Sequence, residues 1–157
     1  VCGVDTANGG SAYSSIITVI VLEKTTSIKV NSIGTINHTV SGNVVRVTHD
    51  LACRVGYLSG GTYVAIAPVA NSDGSYSFTV PAGVTEVLLG VKGDISGDGR
   101  INVGDVSRLY AHVKQTSPLN GDILFIADIS GDNRINVGDV SKLYASVKQT
   151  APLTWDT

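Results

Sequence analysis

The chain has 157 residues, of which 43% are hydrophobic and only 15% are charged, and its formal net charge is −2. So few charges among so many apolar residues exclude a disordered polar chain, and near-neutrality gives no electrostatic footprint for nucleic acid or an anionic membrane. The longest apolar run, 16–22, is far shorter than the roughly 20 residues that span a bilayer. We therefore expect neither nucleic acid nor a membrane as a partner.

The composition changes along the chain, which indicates more than one domain. Residues 1–92 are rich in Val, Ile, Thr, Ser and Gly, whereas residues 93–157 carry eight Asp and no Glu. We expect a lead-in from an upstream region over 1–14, a β domain over 15–92 and a second domain over 93–157. Domains this small gain only marginal stability from their cores, so the second domain needs a further stabilising element.

Residues 15–92 predict a series of short strands. β-branched and aromatic residues dominate eight segments, and turn sequences such as Ser59-Gly60-Gly61 and Asp73-Gly74 separate them. The predicted strands are 15–23, 27–30, 35–40, 43–48, 52–58, 62–67, 75–80 and 84–92. Strands at this spacing predict an antiparallel sandwich of immunoglobulin-like type.

The two cysteines fit neither a disulfide scaffold nor a zinc site. Cys53 alternates with Val55 and Tyr57 on one face of a predicted strand, which favours a buried core thiol. A bridge to Cys2 is the alternative. A catalytic cysteine would need a base, and none of the three histidines lies in a nucleophile motif.

Two tyrosines of the β domain suggest carbohydrate binding as a function of that domain. Tyr57 and Tyr63 flank a predicted hairpin and would suit a sugar-stacking platform, although aromatic residues on strands more often pack in the core. A carbohydrate-binding or adhesion module, in which the β domain recognises a glycan and the second domain only stabilises it, therefore stays an alternative function.

The second domain contains an internal repeat. Residues 93–119, GDISGDGRINVGDVSRLYAHVKQTSPL, return at 127–153 as ADISGDNRINVGDVSKLYASVKQTAPL, an offset of 34 residues with five differences. The differing pairs are Gly93/Ala127, Gly99/Asn133, Arg108/Lys142, His112/Ser146 and Ser117/Ala151. Because two copies are too few for a solenoid, we expect a pseudo-twofold pair.

Oxygen-bearing side chains in each copy follow the spacing of a calcium-binding loop. They occupy loop positions 1, 3, 5, 9 and 12, and position 7 is expected to add a backbone carbonyl. Calcium prefers about six to eight oxygen ligands at about 2.3–2.6 Å, so we predict two bound Ca²⁺ ions. The predicted ligands are Asp94, Ser96, Asp98, Asn102 and Asp105 with the carbonyl of Arg100, and Asp128, Ser130, Asp132, Asn136 and Asp139 with the carbonyl of Arg134.

Two further loop positions refine this interpretation. Position 6 holds Gly99 or Asn133, the residue types that most readily adopt a positive φ. Position 12 holds Asp instead of the bidentate Glu of the usual EF-hand. The alternatives are an ordinary pair of Asp/Gly turns and paired-carboxylate hydrolysis; acids packed this closely in a glycine-rich loop suit a cation better.

Each loop leads into a helix. Apolar residues recur at i, i+3, i+4 and i+7, the pattern of one helix face, at Val106, Leu109, Tyr110 and Val113 and again at Val140, Leu143, Tyr144 and Val147. Ser117 as N-cap and Pro118 at the first helical position predict a linker helix over about 117–126. No helix is predicted before the first loop, so the unit is loop then helix.

This combination resembles the dockerin family, the calcium-binding modules that attach secreted enzymes and scaffoldins to cohesins of cellulosome-type assemblies. The resemblance covers 93–153, with calcium repeats at 93–116 and 127–150, and rests on the duplicated D-x-S-G-D-x-R-I-N-V-G-D loops, Asp at position 12 and the missing first helix. It implies an all-α, two-repeat (F-hand) domain after the all-β sandwich, with the calcium ligands named above. The β domain also resembles the X-type modules that precede some dockerins, and the sequence resembles dockerins of gut ruminococcal cellulosome or amylosome systems.

The resemblance implies a non-catalytic, extracellular module, secreted or attached to a cell surface, that is a monomer alone and binds a cohesin. Familiar clostridial dockerins carry Ser/Thr and Lys/Arg pairs where this chain has Val103-Gly104 and Tyr110-Ala111, which predicts a more apolar contact surface. Near-identity of the copies predicts two binding orientations. The predicted partner-binding residues are Val103, Gly104, Ser107, Arg108, Tyr110, Ala111 and Lys114, with Val137, Gly138, Ser141, Lys142, Tyr144, Ala145 and Lys148.

Overall fold

The computed structural model describes residues 27–156, and the first part of this range forms two four-stranded sheets. The predicted strand over 15–23 and the lead-in over 1–14 lie outside the described residues. The strands are β1 (Lys29–Ile33), β2 (Asn37–Ser41), β3 (Val44–Thr48), β4 (Cys53–Ser59), β5 (Thr62–Ala65), β6 (Pro68–Ala70), β7 (Tyr76–Thr79) and β8 (Glu86–Val91).

The two sheets have the strand orders β1-β8-β4-β5 and β2-β3-β7-β6. Neighbouring strands are antiparallel except β1 and β8, which run parallel with Val30 opposite Val87. Side chains from both sheets fill one core, to which Val47 and Phe78 of one sheet and Val55 of the other contribute fully buried side chains. The sandwich therefore has two layers around one core, whereas its immunoglobulin-like classification stays a prediction.

The predicted strands within the described residues are all present, with bounds that shift by a few residues. β6 was not predicted. It is three residues long, begins with Pro68 and lies at a sheet edge beside β7. Proline has no N–H to donate and is tolerated at such a position, so composition alone suggested a loop there.

The second part of the chain contains three helices, α1 (Val103–Val113), α2 (Ile123–Ala127) and α3 (Val137–Val147). Asn102 and Asn136 cap α1 and α3, and the aspartate three residues later completes a capping box in each case. Leu109 and Leu143 are fully buried in a core that the helices share. The two predicted loop-to-helix units are confirmed as secondary structure.

The linker helix is shorter than predicted and begins later, because α2 starts at Ile123. Ser117 is not its N-cap, since the N–H groups of Thr116 and Ser117 both donate to the carbonyl of Ala111, at 3.0 and 3.2 Å. Gln115 has a φ of 60°, which reverses the chain at the end of α1. The segment from Thr116 therefore terminates α1 instead of starting the next helix.

The helical part packs directly on the sandwich. Phe125 and Ile126 of α2 form an apolar cluster with Leu88 of β8. The ring of Trp155, near the C-terminus, stacks on Tyr76 of β7 with 3.8 Å between ring centroids and 14° between planes. Within residues 27–156, no helix has both the length and the apolar character needed to cross a bilayer.

Candidate calcium loops and partner surface

The first predicted loop folds around the carboxylate of Asp94. Its Oδ1 accepts the backbone N–H groups of Gly97 and Asp98 at 2.8 and 3.1 Å, and its Oδ2 accepts that of Gly99 at 2.7 Å. Only 1% of Asp94 is exposed. A buried carboxylate requires such partners, so the glycine-rich turn forms around this one side chain.

Asp105 joins the two ends of the same loop. Its Oδ1 accepts the N–H of Ser96, and its Oδ2 accepts the N–H of Asn102, both at 2.9 Å. Asp105 is fully buried although it lies in the first turn of α1. Predicted ligand positions 1, 3, 9 and 12 therefore belong to one hydrogen-bonded unit.

The second loop has the same arrangement. Asp128 accepts the N–H of Gly131 at 2.8 Å, and Asp139 accepts those of Ser130 and Asn136, also at 2.8 Å. Asp128 is 6% exposed and Asp139 is fully buried. The two near-identical sequences thus form two near-identical loops.

Position 6 has the backbone conformation that the sequence predicted. Gly99 has a φ of 83° and Asn133 a φ of 64°. The predicted position 5 ligands, Asp98 and Asp132, are exposed, and each accepts the backbone N–H of the following arginine, Arg100 at 3.0 Å and Arg134 at 2.9 Å. These turns keep the position 7 residue within the loop.

The donor chemistry of both loops fits a hard cation. Each loop contains two buried carboxylates, and no Lys or Arg in residues 27–156 forms an ion pair with any loop carboxylate. All the predicted donors are oxygen atoms, which calcium prefers and soft metals do not. Over the same residues, no three His, Cys, Asp or Glu side chains converge as a metal site, so ligation by the predicted residues stays a prediction.

The residues predicted to bind a partner lie mainly on the exposed faces of α1 and α3. Val103 and Val137 are 63% and 68% exposed, and Tyr110 and Tyr144 are 45% and 49% exposed. The tyrosines therefore lie outside the core. The leucine that precedes each of them is buried in the core. The exposed apolar side chains occupy matching positions in the two repeats, and their role in partner binding stays a prediction. The other predicted positions are exposed or half-buried: Gly104, Ser107, Arg108, Ala111, Lys114, Gly138, Ser141, Lys142, Ala145 and Lys148.

The two helices also border a shallow groove of about 470 Å³. Tyr110, Ala111 and Lys114 of the first repeat line it, and Val140 of the second repeat closes it. The exposed side chain of Tyr110 therefore forms part of the wall of this groove.

The structure does not support a sugar platform on the β domain. In the β4–β5 register Tyr57 is opposite Val64, whereas Tyr63 is opposite Leu58. Successive strand residues point to opposite faces, so the two tyrosines lie on different faces of the sheet. Tyr57 packs against the sandwich core, and Tyr63 donates to Asp122 at 2.5 Å. The alternative of a sugar platform formed by Tyr57 and Tyr63 is therefore wrong, and the core packing expected of strand aromatics is confirmed for Tyr57.

Cys53 lies in the sandwich core, as predicted. It is fully buried, and this burial raises the pKa of its thiol to about 12. Such a thiol is a poor nucleophile at neutral pH. The bridge to Cys2 involves a residue outside the described range and stays a prediction.

A cluster of buried charges that the sequence did not predict lies between the sandwich and the C-terminal residues. The carboxylate of Asp156 accepts from Arg54 Nε at 2.8 Å and from Lys92 Nζ at 2.5 Å. Arg54 and Lys92 are each 4% exposed. Burial disfavours the Asp156 carboxylate, but the hydrogen bonds from Lys92 and Arg54 outweigh it and hold its pKa below the ordinary value.

Comparison with known families agrees with the geometry of the second part of the chain. Residues 92–147 match the family model of the dockerin type I domain, and the match spans both loops, α1, α2 and α3. No curated protein and no solved structure matches the chain. The dockerin prediction is confirmed for this segment, and dockerin domains in general are non-catalytic modules that bind cohesin domains in a calcium-dependent way. The X-type and ruminococcal resemblances stay predictions.

Proposed function

We propose that this chain, whose residues 92–147 match the dockerin type I domain, attaches a secreted polysaccharide-degrading enzyme or scaffoldin to a cohesin in a cellulosome-like complex. In this proposal residues 1–14 are a lead-in, 15–92 are an X-like, immunoglobulin-like supporting module and 93–157 are the dockerin. The observation that carries the proposal is the repeated exposed surface on α1 and α3, which lies within the residues that match the dockerin type I domain.

Calcium has a structural role in this proposal. Two Ca²⁺ ions would be held by the loop from Asp94 to Asp105 and the loop from Asp128 to Asp139, with the ligands that the spacing predicts. Bound calcium would supply positive charge to carboxylates that form no ion pair with any Lys or Arg of the described residues. At roughly millimolar calcium and roughly micromolar affinity, each ion contributes about 4 kcal/mol to folding.

The partner surface is apolar and duplicated. Val103 and Tyr110 of the first repeat have exposed counterparts at Val137 and Tyr144. A partner that recognises one set therefore finds the other after a rotation of about 180° about the pseudo-twofold axis, since the two repeats are near-identical in sequence. We propose that this surface supports two binding orientations on one cohesin.

The test is a calorimetric titration of the full chain against a panel of cohesin domains, with calcium and with chelator. We expect one-to-one binding to at least one cohesin in calcium only. Val69→Ala is the matched control for substitutions of the exposed surface on α1 and α3. Val69 is 63% exposed, as Val103 is, but it lies on β6 of the sandwich. The cohesin affinity of this variant should equal that of the parent chain. Failure to bind any cohesin in calcium would contradict the proposal.

A further inference from the structure

Arg54 of β4 extends from the sandwich to the start of the second loop. Its Nη1 donates to the backbone carbonyls of Phe125 and Asp128, both at 2.6 Å, while its Nε donates to Asp156. The guanidinium also lies 5.0 Å from the centroid of the Phe125 ring. Because a guanidinium presents its donors in a fixed planar fork, it holds these two carbonyls at a defined separation.

The first loop is anchored differently. Its first residue, Asp94, follows β8 along the chain, and its N–H donates to the carbonyl of Val91 at 3.1 Å. Its carbonyl accepts the backbone N–H of Gly97 at 3.3 Å, and no side chain of residues 27–156 donates to it. Two loops with nearly the same sequence are therefore connected to the sandwich in different ways, one covalently and one through Arg54.

We infer that Arg54 is a positioning residue for the second calcium loop alone and couples calcium binding there to docking of the sandwich. This inference rests on the calcium role proposed above. Without the guanidinium, the buried carbonyls of Phe125 and Asp128 lose their charged donor, and the metal must order the start of the loop. Removal of a group that hydrogen-bonds to metal ligands without contacting the metal commonly lowers metal affinity by about 10–100-fold.

The charge of Arg54 acts against this positioning role, because a cation beside a calcium loop repels the metal. Asp156 accepts hydrogen bonds from both Arg54 and Lys92, at 2.8 and 2.5 Å, so its single negative charge offsets only part of theirs. Arg54→Lys keeps the charge and removes only the planar fork, so it isolates the positioning role. Coupling between two binding equilibria is reciprocal. Calcium in the second loop must therefore strengthen the docking of the sandwich by the same factor by which docking strengthens calcium binding.

The experiment measures calcium binding by calorimetry in two backgrounds of the full chain. Asp98→Asn weakens the first loop and leaves the second intact, and Asp132→Asn does the reverse. Arg54→Met is expected to weaken calcium binding about 10-fold in the Asp98→Asn background and to leave it within about twofold in the Asp132→Asn background. Arg46→Met is the control, because Arg46 lies on β3 of the other sheet and pairs with Asp73, away from both loops; it should change neither affinity.

A second substitution keeps the test decisive if Arg54→Met does not fold. Arg54→Lys retains the positive charge but lacks the planar fork, so it should also weaken only the second loop. Circular dichroism and urea denaturation report whether each variant is folded. Equal weakening of both loops, or unchanged affinity of the second loop, overturns the inference. A parent chain that binds no calcium would instead contradict the proposed function.

Discussion

Gly90 of β8 lies against Ile126 of α2 so closely that a Cβ atom on Gly90 would fall 2.6 Å from Cγ2 of Ile126. Gly56 of the neighbouring strand β4 has the same relationship to Phe125, with 2.5 Å between its added Cβ and Cζ of the ring. Both distances are shorter than real Cβ contacts allow. The two glycines therefore allow α2 to pack closely against the sheet, and larger residues at either position would separate the helix from the sheet.

Substitution of either glycine should destabilise the protein. We expect Gly90→Ala to lower the free energy of unfolding by about 1–3 kcal/mol, the cost of overpacking a tight core. The measurement is urea denaturation in the presence of calcium.

A double-mutant cycle is the control for this prediction. Ile126→Ala removes the Cγ2 atom that an added methyl on Gly90 would meet, so the cost of Gly90→Ala should be smaller in that background. Strictly additive costs of the two changes would show that the contact with Ile126 is not the cause.

The ion-pair cluster at the C-terminus predicts an acid dependence. Burial opposes ionisation of Asp156, but hydrogen bonds from Lys92 and Arg54 hold its pKa below the ordinary value. Its contribution to stability is therefore present above the unfolded-state pKa of about 3.9 and is lost as the pH falls through the lower folded value. Emission of Trp155, the neighbouring residue, should stay constant from about pH 7 to about pH 5 and change below about pH 4.

Asp156→Asn tests the same cluster at neutral pH. Removal of one partner leaves the buried charges of Arg54 and Lys92 without their carboxylate, which costs about 3–5 kcal/mol in buried ion pairs. We expect the variant to show the low-pH emission of Trp155 already at pH 7. Parent-like emission at pH 7 would show that the carboxylate does not hold the C-terminal tail.

Calcium removal should destabilise the loops and their helices. The carboxylates of Asp94 and Asp105 are buried in one loop, and like charges that close repel when no cation is bound. We expect chelator to lower the melting temperature and the helical circular dichroism signal of the full chain. Asp98→Asn and Asp132→Asn should each remove part of the calcium-dependent stabilisation. An identical melting curve with and without chelator would contradict the structural role of the metal.

The duplicated surface predicts redundancy in partner binding. Tyr110→Ala or Tyr144→Ala alone should change cohesin affinity by less than about threefold, because the other orientation remains available. The double variant should lose more than about 30-fold, which corresponds to about 2 kcal/mol and is typical of a hot-spot residue. Calorimetry with calcium measures both. A single variant as weak as the double variant would show that only one orientation is used.

The sequence by itself determined the loops and the helices that follow them. The hydrogen bonds that shape the first loop are local, from Asp94 to the turn at Gly99 and from Asp105 back to Ser96. Position 6 needed a residue that tolerates a positive φ, and the capping asparagine starts the helix one residue later. Local interactions of this kind can be predicted from the sequence alone. The repetition of the whole segment strengthened the prediction, because both copies have the same residue types at the predicted ligand positions.

Tertiary structure decided how the two parts of the chain meet. Alternation in β4 puts Arg54 on the face opposite Cys53, which would be solvent in an isolated sandwich, but α2 covers that face from 71 residues away. The apolar run of β8 around Leu88 and Gly90 was the available signal, because a strand buried on both faces shows no alternation. The segment that covers β8 is determined by packing between residues far apart in the sequence. Local periodicity does not predict such packing.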